Sequence, residues 1–298
     1  MRPGIKPFGL LVISAVILLA CSPGEPQQQF IEKKVARIVR SYGSDSEFID
    51  PKGQTLEKRF NVPAGYERVA ALPHSYAAYL RQLPLKPHGS KVLLYDGREK
   101  SKRGVYDAVV EMDIGKKDLQ QCADAVMRLR AEHLWAEKQY DKIHFNFTNG
   151  FRVDYTEWMQ GKRVAIKGNK TWWKQSAQPS NTYSDFRAYM ELIFTYAGTL
   201  SLSRELKSVP LSDLRAGDVF IQGGSPGHAL LVTDVAIDPK TGKKIFLLAQ
   251  SYMPAQETQI LKNPMDAELS PWYSTDFGEV LDSPEWKFTS DMLMRFEE

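Results

Sequence analysis

The chain has 298 residues, 43% of them hydrophobic and 25% charged, enough for a substantial core in one large domain or two small ones. Its 39 Lys and Arg against 36 Asp and Glu leave a formal net charge of +3. No Lys/Arg block stands out, which argues against nucleic acid as a partner, while a mild positive bias suits an anionic wall or membrane surface.

Arg2 and Lys6 precede an apolar run from Leu10 to Ala20, and Leu18-Leu19-Ala20-Cys21 closes it. The run is too short to span a bilayer as a mature helix and reads as a secretion signal over 1–20 that ends in a lipobox. The expected processing is diacylglycerol attachment to Cys21, cleavage before it, and acylation of the new N-terminus. Several acyl chains, at ~0.8 kcal/mol per buried CH2, make a durable membrane anchor. Ser22 follows the cysteine, with no aspartate to favour inner-membrane retention, so the expected location is the outer membrane of a diderm bacterium. Cys21 and Cys122 are the two cysteines. The mature protein would then carry one thiol and no internal disulfide, Cys122 being either a reactive group or a small buried hydrophobe.

Residues 21–29, with prolines and glutamines, read as a tether, and 30–298 as one α+β domain. Ile31, Val35, Ile38 and Val39 give a first helix over 30–42, and 43–65 is polar and loop-like. A short helix is expected over 75–83, closed by Pro84 and Pro87, then strands over 91–95 and 105–114 joined by a charged turn. The strongest helix spans 118–138, with Asp118 as N-cap and Gln121 completing a capping box. A strand over 142–148 is broken by Asn149-Gly150. A helical turn over 155–159, a basic tryptophan-bearing loop over 162–180, and a helix over 184–197 with Gly198 as C-cap follow. Strands over 218–222, 228–237 and 244–252 make the last third β-rich, with 238–242 as a hairpin turn.

Two stretches in that last third carry most of the functional information. Leu214-Arg215-Ala216-Gly217-Asp218-Val219-Phe220-Ile221 is a turn and a short apolar strand. Ser225-Pro226-Gly227-His228-Ala229-Leu230-Leu231-Val232-Thr233-Asp234-Val235 is a glycine-rich break and a strand that opens on histidine. The pair resembles the histidine half of papain-like cell-wall amidases and peptidases of the NlpC and CHAP type, which carry a Gly-Asp strand followed by a Gly-His strand. The resemblance implies a papain-like half-barrel at the C-terminal end, with a core at about 184–260. The expected fold is α+β, a single domain whose mostly antiparallel sheet is packed by two or three helices. The family's cysteine would fall near Phe186, where there is no thiol, and Ser184 there reads as a cap. Either an insertion separates two catalytic halves and Cys122 stands on another helix, or the fold persists without its nucleophile.

Papain-like catalysis needs a thiolate at a helix N-terminus, an imidazole to take its proton, and a polar group to orient the imidazole. Cys122 lies in the first turns of its helix, and the Gln120 and Gln121 amides beside it are candidate oxyanion donors. Leu119, Cys122, Val126 and Leu129 also share one helical face, the pattern of a core stripe, and both readings stand. His228 is the candidate base, or else a satisfied structural histidine. Gln250 aligns with the third polar residue of the family, and the hairpin would bring it beside His228. His144, Asn146 and Thr148 share one strand face, either solvated or a cleft wall. Trp172 and Trp173 either stack on sugar rings or anchor their own loop. Asp124 and Glu132 with Arg128 and Arg130 read as surface ion pairs. His74, His88, His133, His144 and His228 are scattered without zinc-ligand spacing, and neither a metal nor a cofactor is expected.

The expected function is a lipid-anchored papain-like cysteine hydrolase or transferase acting on amide bonds of a cell-wall peptide or glycan. The alternative is a non-catalytic lipoprotein that uses the same fold to bind wall glycan or a protein partner. The anchor has its own test. Cys21→Ala should leave an unprocessed precursor that stays out of the detergent phase on partitioning, and a variant still matured and membrane-bound would contradict the lipobox.

Overall fold

Strand residues His228–Ile237 organise the molecule, and nine of the ten are buried. The computed structural model describes residues 47–297. The lipobox, the tether and the helix expected over 30–42 lie outside the described residues. In chain order the elements are α1 (Leu56–Arg59), β1 (Glu67–Arg68), α2 (Tyr76–Arg81), β2 (Tyr106–Val109), α3 (Cys122–Ala136), β3 (His144–Asn146) and β4 (Arg152–Asp154). Then come α4 (Tyr155–Met159), β5 (Lys162–Lys167), β6 (Lys170–Gln175), α5 (Tyr183–Tyr196), α6 (Thr199–Glu205) and β7 (Lys207–Ser208). The last third holds β8 (Val219–Gln222), β9 (His228–Ile237), β10 (Lys244–Gln250), β11 (Gln259–Leu261), β12 (Tyr273–Ser274), β13 (Leu281–Asp282), β14 (Lys287–Phe288) and β15 (Leu293–Arg295).

Together these form one α+β domain on a nine-stranded sheet in the order β2-β11-β10-β9-β8-β15-β7, with β1 added to β9 and β12 to β10. Every pairing in it is antiparallel. Strands β8, β9 and β10 are consecutive neighbours, as expected, and β9 and β10 form a hairpin from Ile237↔Lys244 to Leu231↔Ala249. Among the described residues no helix is long and apolar enough to cross a membrane.

Strand β9 changes face half-way. Ala229 and Leu231 enter the larger core with the helices, whereas Leu230 and Val232 enter the smaller core on the opposite side. Beyond Thr233 the parity inverts, so Val235 is in the smaller core and Ala236 in the larger. The cause is a bulge: Leu247 faces Asp234 while Leu248 faces Val232, leaving Thr233 as the extra residue. Its partner β10 keeps one parity throughout, with Ile245, Leu247 and Ala249 on the helix side.

The bulge also sets Asp234, fully buried, between two guanidinium groups. Its Oδ2 accepts from Arg68 Nε and its Oδ1 from Arg81 Nε, both at 2.7 Å. Arg81 donates further to the Val69 carbonyl at 2.6 Å, and Arg68 to the carbonyls of Glu57 and Phe60. One carboxylate thus ties β1, α1 and α2 to the central strand.

Several local expectations are corrected. Six α-helices occur among the described residues rather than two or three. The segment 43–65, expected to be loop, holds α1 in its described part, capped by Thr55. Residues 91–95 make only isolated bridges, Leu93 to Glu99 and Leu94 to Gln256, because the chain folds back at once through Gly97. The basic segment 162–180 contains the hairpin β5–β6, whose Val164↔Trp173 and Ala165↔Trp172 pairs were obscured by the surrounding lysines. Gly198 does not cap α5, which ends at Tyr196. It leads into α6 instead, donating its N–H to Ser201 Oγ at 3.0 Å. Finally, α3 begins at Cys122 with Gln121 as N-cap, and Asp124 Oδ2 accepts the Gln121 N–H at 3.0 Å. Asp118 is engaged elsewhere, accepting the Ala255 N–H at 2.6 Å.

Asp234→Ala would strand two guanidinium groups and is expected to destabilise the fold by about 3–5 kcal/mol. Asp276→Ala, which breaks the exposed pair with Lys243, should leave stability nearly unchanged, since solvent screens that pair. Urea denaturation of both variants checks the contrast, and equal losses would mean that Asp234 is no clamp.

Candidate active site

Strand β9 starts at His228 because the loop before it is pinned against α6. A Cβ on Gly227 would lie 2.4 Å from Thr199 Oγ1 and 2.5 Å from the Gly224 carbonyl oxygen, so no side chain fits there. Gly217, at the turn into β8, has φ +99° and packs against the Tyr76 ring, 2.7 Å from where a Cβ would sit. Both glycines of the sequence pattern are thus explained by close approach of backbone to a neighbouring element.

His228 and Cys122 line one cleft of about 440 Å³, with Gln121, Asp124, Tyr252 and Trp286 among its walls. Cys122 is the first residue of α3, and that helix packs on β9. The tertiary packing therefore brings Cys122 and His228 to one cleft although they stand far apart in sequence. Behind the ring, His228 Nε2 donates to Gln250 Oε1 at 2.9 Å. Gln250 Nε2 donates in turn to Glu285 Oε2 at 2.5 Å. Tyr252, Trp286 and Phe288 surround the imidazole with ring centroids 4.9, 5.2 and 6.3 Å away.

Cys122 and His228 are both held towards their neutral forms. Burial pushes the Cys122 thiol up to about 11, aided by the nearby Asp124, while the backbone N–H groups of Ala123, Ala229 and Cys122 itself pull the other way. Burial pulls the His228 imidazole down to about 4, against the hydrogen bond to Gln250 and the charge of Glu285. Among the described residues no hydrogen bond joins the Cys122 sulfur to the His228 ring.

The other sequence candidates separate from this site. Gln121 borders the cleft but its amide donates to Asp118 Oδ1 at 3.1 Å. Gln120 is fully buried, accepts from Arg128 Nη1 at 3.0 Å, and does not line the cleft. His144 sits 3.7 Å from Glu205, whose carboxylate also accepts the Asn146 backbone N–H at 2.8 Å. Thr148 donates to the Tyr196 carbonyl, so that strand face serves packing against α5 and α6. Trp173 turns inward onto Phe151 at 6.0 Å between centroids, Trp172 points outward at 44% exposure, and neither lines the cleft. Arg128 pairs with Glu132 at 2.5 Å, as expected, but the guanidinium is buried rather than at the surface. Among the described residues Asp124 joins no ion pair, and its Oδ1 is buried without a hydrogen-bond partner. Among the described residues no three His, Cys, Asp or Glu side chains gather as metal ligands would. Lys100, Tyr252, Glu285 and Trp286 were not recognised from sequence, since no local pattern ties 100 or 285 to a histidine at 228.

Burial raises the Asp124 carboxyl to about 8. The folded chain keeps that proton while the unfolded chain, with an ordinary aspartate, releases it near pH 4. Stability contributed by the neutral form is therefore complete at low pH and lost as pH rises towards 8. Asp124→Asn keeps an oxygen for the Gln121 N–H and does not ionise. It should match the wild type near pH 4 and exceed it by roughly 3–5 kcal/mol near pH 8. Denaturant midpoints at the two pH values test this, and a difference that does not change with pH would contradict it.

No curated protein and no solved structure matches the chain. Residues 56–295, which include every residue of the cleft, match the family described as Domain of unknown function (4846), and the chain belongs to that family.

Proposed function

We propose that this protein is a lipid-anchored cysteine hydrolase or transferase of papain-like design, acting on an amide bond in cell-wall peptides. The observation that carries the reading is that Cys122 at the head of α3 and His228 at the mouth of β9 line one cleft, with Gln250 hydrogen-bonded behind the imidazole. These are the three residue types that thiol-imidazole chemistry requires, drawn from two distant parts of the chain, and their nearness to one cleft supports the reading.

In this reading the Cys122 sulfur attacks the amide carbonyl carbon as His228 takes the thiol proton. The imidazolium then gives that proton to the departing amine as the C–N bond breaks, leaving a thioester on Cys122. Water in hydrolysis, or a second amine in transfer, attacks the thioester and restores the thiol. The N–H groups of Cys122 and Ala123 at the start of α3, which act on the sulfur, would receive the oxyanion. With the thiol pushed up and the imidazole pulled down by burial, proton transfer is unfavourable in the resting site. Substrate must therefore draw sulfur and ring together and couple proton transfer to attack.

The same neutral pair favours a second reading, in which the cleft binds a wall glycan or protein partner and Cys122 is a buried wall residue. Cys122→Ala and His228→Ala decide between them. Each is expected to lower release of new amino termini from peptidoglycan peptides by about 10³-fold or more with the fold intact. Wild-type protein that releases none, together with a Cys122→Ala variant that still sediments with purified wall, would establish the binder instead.

A further inference from the structure

The group that orients Gln250 lies outside the three residues of the proposed site. Glu285, in the loop between β13 and β14, holds its carboxylate against two donors: Gln250 Nε2 at 2.5 Å and Lys100 Nζ at 2.7 Å. Both charged side chains are almost fully buried, at 5% exposure for Lys100 and 7% for Glu285. Lys100 is itself fixed, donating to Gln256 Oε1 at 2.9 Å with its ammonium 5.2 Å from the Tyr252 ring centre. Trp286, next in sequence to Glu285, lies beside the imidazole and donates its indole N–H to Gln222 Oε1 at 3.2 Å.

The chemistry of these groups leaves one arrangement. A carboxylate paired with a buried ammonium accepts hydrogen bonds and donates none. Only the NH2 end of the Gln250 amide can face it, so the carbonyl end must face His228. A carbonyl accepts only, so the proton of a neutral imidazole must sit on Nε2 and the lone pair on Nδ1. Without Glu285, the Gln250 amide could turn over and offer its NH2 to Nε2, which would move the proton to Nδ1.

We propose that Glu285 is a positioning residue which, paired with Lys100, sets the orientation of Gln250 and thereby locks neutral His228 as the Nε2–H tautomer. Its catalytic consequence rests on the hydrolase reading: the lock leaves Nδ1 free to take a proton. The tautomer itself does not depend on that reading.

The test is long-range ¹H–¹⁵N NMR at neutral pH on full-length protein in detergent, with histidine ¹⁵N-labelled and His228 assigned through its loss in His228→Gln. Wild-type His228 should show a protonated Nε2 and an unprotonated Nδ1. Glu285→Gln keeps the size of the side chain but can donate as well as accept, so His228 should then populate both tautomers. Under the hydrolase reading kcat should fall about tenfold with KM nearly unchanged. An Nδ1–H ring in the wild type, or a Glu285→Gln spectrum identical to it, would overturn the proposal. The wild-type spectrum is decisive alone should the variant fail to fold. A tautomer shift in a protein that hydrolyses no amide would uphold the lock while removing the hydrolase.

Discussion

Everything in this domain depends on one strand that is buried on both sides. β9 lies between two apolar cores, so it has no solvent face on which to place a charged side chain. Asp234 is nevertheless in its middle. A buried carboxylate is tolerable only when its oxygens are met by donors, and Arg68 and Arg81 meet both at 2.7 Å. The neighbouring bulge at Thr233 inverts the alternation, so apolar residues reach both cores on either side of the charge. The energetic case for the clamp is geometric: removing the carboxylate would leave two arginines without the anion that holds them, whereas the pair itself contributes less than its Coulomb energy alone would suggest.

The cleft repeats this logic at the other end of β9. His228 is 2% exposed and Gln250 also 2%, so neither can rely on water. The polar line from the ring through Gln250 and Glu285 to Lys100 gives every member a partner of the correct sense. It ends on an ion pair, which a hydrogen-bond chain of neutral groups would not need. A network that is satisfied throughout keeps its side chains in one geometry. Cys122 lines the same cleft, with first-turn N–H groups favouring its anion and burial opposing it. The balance leaves a protonated thiol, and any reactivity must be developed by what enters the cleft.

Where sequence reading went astray, the cause was a competing partner remote in the chain. Asp118 has the residue type of an N-cap, but the Ala255 N–H claims its carboxylate, and the helix starts at Cys122. The segment around Trp172 is rich enough in lysine to look like a loop, yet cross-strand pairs with 162–167 make it a hairpin. Asp124 has arginines nearby on its own helix and pairs with none, because it turns back to the N-cap. Each error came from treating a side chain as if its sequence neighbours were its only neighbours.

The local chemistry of the chain determined the strands from 218 to 250, the hairpin between them, the histidine at a strand mouth and the helix that carries Cys122. These follow from alternation, turn residues and helical spacing, all of which act within a few positions. Gln250 was indicated by its alignment with the third polar residue of the resembled family, and the hairpin, whose register closes at Leu231↔Ala249, leaves it close enough for His228 to reach. Whether Cys122 and His228 share a cleft was left to the tertiary structure, because the packing of α3 on β9 is a choice among core contacts that no short window contains. Glu285 and Lys100 were decided there too. Two charges can be buried only as a pair, and their partner is selected by the closing of loops far apart in the chain.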